Sequence, residues 1–196
     1  MGSKQIKIWL IVMTALFGYF SFGGPAANLT RYACVVLAAG LSGWLWAHQH
    51  RPDQRWLTAG LVLSLITDAV LLFAPASQWV PLAVGLFAWV HWCYLRRFNT
   101  ALPGPTTLAS AALITGALGW LLPAAIFYAA MLLLDAAGTW RRRLPTSRAT
   151  WLARAGITAF AACDIIVALG QTGRIDPAWS WLFYWPALTL LTLSAN

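Results

Sequence analysis

Apolar residues come along this chain in long runs, and the polar positions gather in the short gaps between them. Eight runs can be marked, each bounded by Gly, Pro, Asn or charge: Ile8–Phe22, Tyr32–Ala47, Trp56–Phe73, Trp79–Leu95, Thr106–Trp120, Pro123–Gly138, Thr150–Leu169 and Pro177–Ser194. Several are a little short of the ~20 residues that cross a bilayer, so their ends are expected to shift by a few positions. The pattern predicts an all-α fold: one transmembrane domain over residues 1–196, an eight-helix bundle. Only Leu121-Leu122-Pro123 separates the fifth run from the sixth, and Pro123 suits the first turn of a new helix. Two stretches echo one another, Ser64-Leu-Ile-Thr-Asp-Ala-Val-Leu-Leu-Phe73 and Ala161-Ala-Cys-Asp-Ile-Ile-Val-Ala-Leu169. Each sets one aspartate, Asp68 or Asp164, deep in apolar sequence on the third or the seventh helix. A four-helix unit repeated in parallel would superpose the two, about an axis along the membrane normal.

Composition strengthens this reading. The chain is 60% hydrophobic and 9% charged, with 13 tryptophans in 196 residues, more apolar surface than a soluble fold of this length buries. Lys4 and Lys7 precede the first run as in a secretory signal, yet no small-x-small cleavage site follows, which predicts an uncleaved first helix. The three cysteines, Cys34, Cys93 and Cys163, all fall inside apolar runs and form no disulfide framework.

The formal charge of +8 changes the picture through its placement. With the N-terminus inside and eight crossings, Lys4, Lys7, Arg51, Arg55, Arg96, Arg97, Arg141, Arg142, Arg143, Arg148 and Arg154 are cytoplasmic. Arg31 and Arg174 fall outside, a split of eleven to two that obeys the positive-inside rule and argues against nucleic acid as the partner of this charge. Both termini are therefore expected on the cytoplasmic side of a multi-pass protein, in the inner membrane if the source is bacterial. Trp9, Trp46, Trp56, Trp79, Trp120, Trp140, Trp151 and Trp179 lie near the run ends, as an interfacial belt requires.

Asp68 and Asp164 are the candidate chemistry. A carboxyl group at that depth costs a few kcal/mol, so it normally faces protein or water and marks function. At ~1.5 Å of rise per residue, Asp68 lies about 18 Å past Trp56 and Asp164 about 20 Å past Trp151, just beyond the midplane on helices running the same way. His91 and Asp135 fall within roughly two turns of that level on descending helices. Two carboxyls at one depth make a candidate acid–base pair, one keeping its proton while its partner is charged, which is what protonating a substrate and activating water require. His91 can orient one carboxylate or titrate itself, and Tyr94, three residues on, shares its helix face. Asp135 lies near Trp140 and Arg141–Arg143, so a snorkelling ion pair is the favoured reading for it. No metal site is expected, because His48 and His50 lie in a loop and no H-x-x-x-H spacing occurs. No P-loop, G-x-S-x-G elbow or dinucleotide fingerprint is present, and no cofactor is called for.

These residues resemble a known family. Asp68-Ala-Val-Leu-Leu, then Gly85-Leu-Phe-Ala-Trp-Val-His91-Trp-Cys-Tyr94-Leu-Arg-Arg-Phe98, then Cys163-Asp164-Ile-Ile-Val-Ala-Leu look like the signature of the YhhN family of lysoplasmalogenases. That family has a G-D-x-x-L element, an F-x-x-A-H-x-x-Y-x-x-x-F helix and a later S-D-x-x-L-A element, in eight helices. Here Thr67 stands in place of the glycine, Cys163 in place of the serine, and Arg31-Tyr32 in place of a Lys-Pro. In the final helix Tyr184-Trp-Pro186-Ala187 stands where the family tends to have tyrosine followed by Ala-Gln. The resemblance implies hydrolysis of the vinyl-ether bond of a lysoplasmalogen to a fatty aldehyde and a glycerophospho head group. It adds Tyr184 to the supporting residues His91 and Tyr94, and it places Arg31 where the family has lysine. From that position Arg31 is expected to grip the phosphate of a lysophospholipid that enters a funnel from the outer face.

Two other classes fit the same residues. A proton-coupled carrier would use midplane aspartates to bind protons or a cation, with helices broken by Gly or Pro beside them. A membrane subunit would pair the aspartates with a second chain. Membrane lipids are partners in every case, and the sequence leaves the oligomeric state open.

Overall fold

In the computed structural model, the described residues are 3–21, 27–74, 77–98, 104–141, 147–171, 173 and 175–195. They form eight α-helices and, among themselves, no strand: α1 (Ser3–Ser21), α2 (Ala27–Gln49), α3 (Pro52–Phe73), α4 (Val80–Phe98), α5 (Gly104–Ala117), α6 (Leu121–Arg141), α7 (Arg148–Gln171) and α8 (Trp181–Leu193). Short 3₁₀ turns at Ser77–Trp79 and Pro177–Ser180 lead into α4 and α8. Arg142, Arg143 and Arg174, on which part of the charge count rests, lie outside the described residues.

Helix boundaries follow local chemistry. α3 starts where Arg51 is extended and Pro52 takes the first helical position, with Asp53 in the first turn where a negative charge meets the helix dipole. α7 starts at a serine cap: the Thr150 backbone N–H donates to Ser147 Oγ at 3.2 Å. The break between α5 and α6 is real, and it falls at Gly119, whose φ of 78° suits a residue without Cβ. Pro123 lies in the first turn of α6, where its missing N–H costs nothing.

Among the described residues, four helices are long and apolar enough to cross a membrane: Ala27–Gln49, Pro52–Phe73, Leu121–Trp140 and Arg148–Gly170. The other four fall short for identifiable reasons. α5 with 14 residues and α8 with 13 are each about 20 Å long, against a ~30 Å hydrocarbon core. α4 has the length, but His91, Arg96 and Arg97 lower its hydropathy, and the apolar part of α1 ends at Gln5–Tyr19. Trp46, Trp79, Trp120, Trp140, Trp151 and Trp179 are exposed, as a belt residue is. Trp9 is not: it is buried against α2 and donates its Nε1–H to the Leu37 carbonyl at 3.1 Å, since α1 packs its indole inward.

Helices that follow one another pack together, α1 to α4 in the first half and α5 to α8 in the second. Across the halves, α4 meets α5 and α6 while α8 meets α1 and α2, so both halves use the same pairing scheme. Small residues allow the tightest contact. A Cβ on Gly85 would meet Ala112 O at 2.7 Å and Leu113 Cα at 2.8 Å, so α4 and α5 approach nearly backbone to backbone. The echo between α3 and α7 extends well beyond the aspartates. At one constant offset, buried Leu57 matches Ala153, Gly60 matches Gly156, Leu61 matches Ile157, Ser64 matches Phe160, and Thr67 matches Cys163. Gly60 and Gly156 do the same work, leaving room for Tyr94 of α4 and Leu191 of α8 respectively. These contacts put the inner faces of α3 and α7 against the apolar centre that α4 and α8 complete.

Candidate functional site

Both aspartates sit in unbroken helix and face inward from α3 and α7. The Asp68 side chain is almost wholly buried, and Asp164 retains a 17% exposed side chain. Each is gripped by a tyrosine from another helix. Tyr184 of α8 donates its hydroxyl to Asp68 Oδ2 at 2.5 Å, and Tyr128 of α6 donates to Asp164 Oδ2. A buried carboxyl needs such partners, because an acceptor left bare in an apolar interior costs roughly 1–3 kcal/mol.

His91 comes from α4 and is fully buried. Its Nδ1 lies 2.9 Å from Asp135 Oδ2, and its Nε2 lies 4.0 Å from Asp164 Oδ2. The imidazole therefore joins Asp135 to Asp164. Asp135 is the main correction to the sequence reading. It does not snorkel toward the arginines; its side chain is completely buried and turned to α4. Tyr128, buried Met131 and Asp135 recur at helical spacing on one face of α6, and that face packs on α4.

Phe160 packs against His91 and against Tyr184, the partner of Asp68. Its ring centroid is 4.8 Å from His91, 5.3 Å from Tyr184 and 6.2 Å from Tyr94, each in an edge-to-face arrangement. Tyr94 is buried in the same cluster, with its ring over Gly60. Asp68, Asp164, His91, Tyr94 and Tyr184 thus lie in one connected group of side chains. Tyr128, Phe160 and Asp135 complete the group.

Arg31 is set apart from this cluster, in the first turns of α2. Its guanidinium lies over the Trp181 ring at 5.2 Å, and its Nη1 donates to Asn28 Oδ1 at 3.4 Å. Trp181 in turn touches the Tyr184 ring at 5.1 Å. A continuous line of side chains therefore runs from Arg31 through Trp181 and Tyr184 to Asp68. At the opposite end of the bundle, the C-cap of α8 is held by Arg97, which donates to Ser194 Oγ at 2.6 Å and to the Ser194 carbonyl at 2.8 Å.

Chemically, the arrangement offers two carboxyl groups, each bonded to a phenol and one of them also near a histidine that a third carboxyl holds, in an apolar interior. It can deliver a proton from one side, accept one on the other, and stabilise a cation between them. A family model described as the YhhN family matches residues 26–195, which takes in α2 through α8. Neither a curated protein nor a solved structure matches the chain.

Proposed function

The chain belongs to the YhhN family, and from that premise we propose that it is a membrane-embedded hydrolase that cleaves the vinyl ether of lysoplasmalogens to a fatty aldehyde and a glycerophospho head group. The observation that carries this reading is the pairing of each midplane aspartate with its own tyrosine, Asp68 with Tyr184 and Asp164 with Tyr128, around a shared aromatic centre. A vinyl ether breaks by protonation at carbon, which leaves an oxocarbenium ion for water to capture. Asp68 lies away from the histidine and serves as the acid; Asp164, 4.0 Å from His91, serves as the carboxylate that stabilises the cation and holds water. After proton delivery Asp68 is charged, and the Tyr184 hydroxyl steadies that charge.

The same reading keeps both termini cytoplasmic, with the basic residues of the loops inside. Arg31 binds the phosphate of the lipid at the outer end. What supports this is its connection to Asp68 through Trp181 and Tyr184, which suits a substrate whose ether lies a few bonds below its phosphate. The carrier class is disfavoured because α3 and α7 run unbroken past both aspartates. Purified protein in detergent or liposomes, given lysoplasmalogen, is expected to release fatty aldehyde. Proton-coupled uptake into proteoliposomes with no aldehyde formed would overturn the hydrolase reading in favour of transport.

A further inference from the structure

Asp135 and His91 form a buried pair whose geometry goes further than helix packing requires. Both side chains have no exposure, and Nδ1 and Oδ2 are 2.9 Å apart. A carboxylate at Nδ1 fixes the proton there and leaves Nε2 as a lone-pair acceptor. That Nε2 is buried, and among the described residues it has no hydrogen-bond partner. Phe160 at 4.8 Å, Tyr128 at 5.6 Å and Tyr94 at 6.0 Å box the ring, so it cannot turn to find one. It faces Asp164 Oδ2 across 4.0 Å, too far for a direct hydrogen bond and the separation that a single bridging water, about 2.8 Å from each atom, spans.

We propose that Asp135 is a positioning residue, holding His91 so that Nε2 and Asp164 share the water that attacks the oxocarbenium ion. The proposal rests on the hydrolase reading and assigns the roles within it. Asp68 gives its proton to the substrate's vinyl carbon. The water oxygen then bonds to the cationic carbon while one of its protons passes to His91 Nε2, giving a hemiacetal. The imidazolium returns that proton to the glycerol oxygen as the carbon–oxygen bond breaks with its electron pair. The hemiacetal hydroxyl proton goes to Asp68, and the site is restored with aldehyde and alcohol as products. Asp164 remains a carboxylate throughout and stabilises the two cationic species.

The test uses Asp135→Asn in the full chain, which keeps the shape and removes the acceptor charge. Its kcat for aldehyde release is expected to fall roughly a hundredfold, with KM unchanged within about twofold. Azide adds to an oxocarbenium ion without losing a proton, so it should restore substrate consumption in Asp135→Asn with an azido ether as product. It should not restore Asp68→Asn, which cannot form the cation. A merely structural role for Asp135 would show no such selective rescue. Nitrogen NMR of His91 gives a second readout: the wild type should carry its proton on Nδ1, and Asp135→Asn should move it to Nε2. Unchanged kcat, or a loss that azide does not repair, overturns the proposal. If the variant does not fold, a wild-type proton on Nε2 overturns it equally. A wild type that releases no aldehyde sinks the hydrolase reading itself, whereas an active wild type with an unaffected Asp135→Asn sinks only this inference.

Discussion

Removing one oxygen atom, in Tyr184→Phe, separates the acid's machinery from its fold. Tyr184 is buried and donates to Asp68 Oδ2 at 2.5 Å. In the proposed scheme Asp68 starts as a neutral acid, and a neutral hydrogen bond contributes about 1 kcal/mol. As the proton leaves for the vinyl carbon a carboxylate develops, and a hydrogen bond to a charged group is worth about 1.5–3 kcal/mol. The difference, about 0.5–2 kcal/mol, is stabilisation present only in the transition state. Its loss should lower kcat by about 2- to 30-fold and leave KM nearly unchanged. Stability should fall by only about 1–3 kcal/mol, since Asp68 loses one partner in an otherwise intact site. Continuous aldehyde detection, coupled to an aldehyde dehydrogenase, measures both constants, and a thermal melt checks the fold. An unchanged kcat, or a rise in KM alone, would refute the role given to Asp68, because it would mean that no charge develops there.

Three further outcomes follow from the same geometry. Gly60→Ala should cost about 1–3 kcal/mol, because the new Cβ would meet Tyr94 Cδ1 at 2.9 Å; an unchanged melting temperature would show that the ring yields freely. Arg31→Ala should raise KM for lysoplasmalogen about tenfold, the equivalent of ~1.4 kcal/mol, with kcat retained. An unchanged KM would remove the phosphate contact. Aldehyde release should survive EDTA treatment, since carboxyls and imidazole carry every proton in the scheme; loss that added divalent metal restores would require a different one.

The third and seventh helices were legible because an aspartate inside apolar sequence is a strong and local signal. His91 and Tyr94 could be placed on one face by their spacing. Asp135 was misread because its distance along the chain from Arg141 outweighed its register. Tyr128, Met131 and Asp135 share a face, and that register was present in the sequence; only the packing of α6 on α4 tells which way the face points. Phe160 and Tyr128 gave no signal at all, since one aromatic in an apolar run resembles any other until a partner is known. The count of eight helices held while only four meet the length and hydropathy of a span, because α5 and α8 are short and α4 spends its polarity on the site and the interface.

The most direct test compares aldehyde release by the wild type with that of Asp68→Asn and Asp164→Asn, reconstituted identically and matched for folded protein by thermal melt. Both substitutions keep the side chain's size; the first removes the proton that Asp68 gives, and the second removes the negative charge that Asp164 offers the cation. The account predicts an active wild type and a fall of a hundredfold or more in each variant. Either variant turning over at the wild-type rate would contradict it.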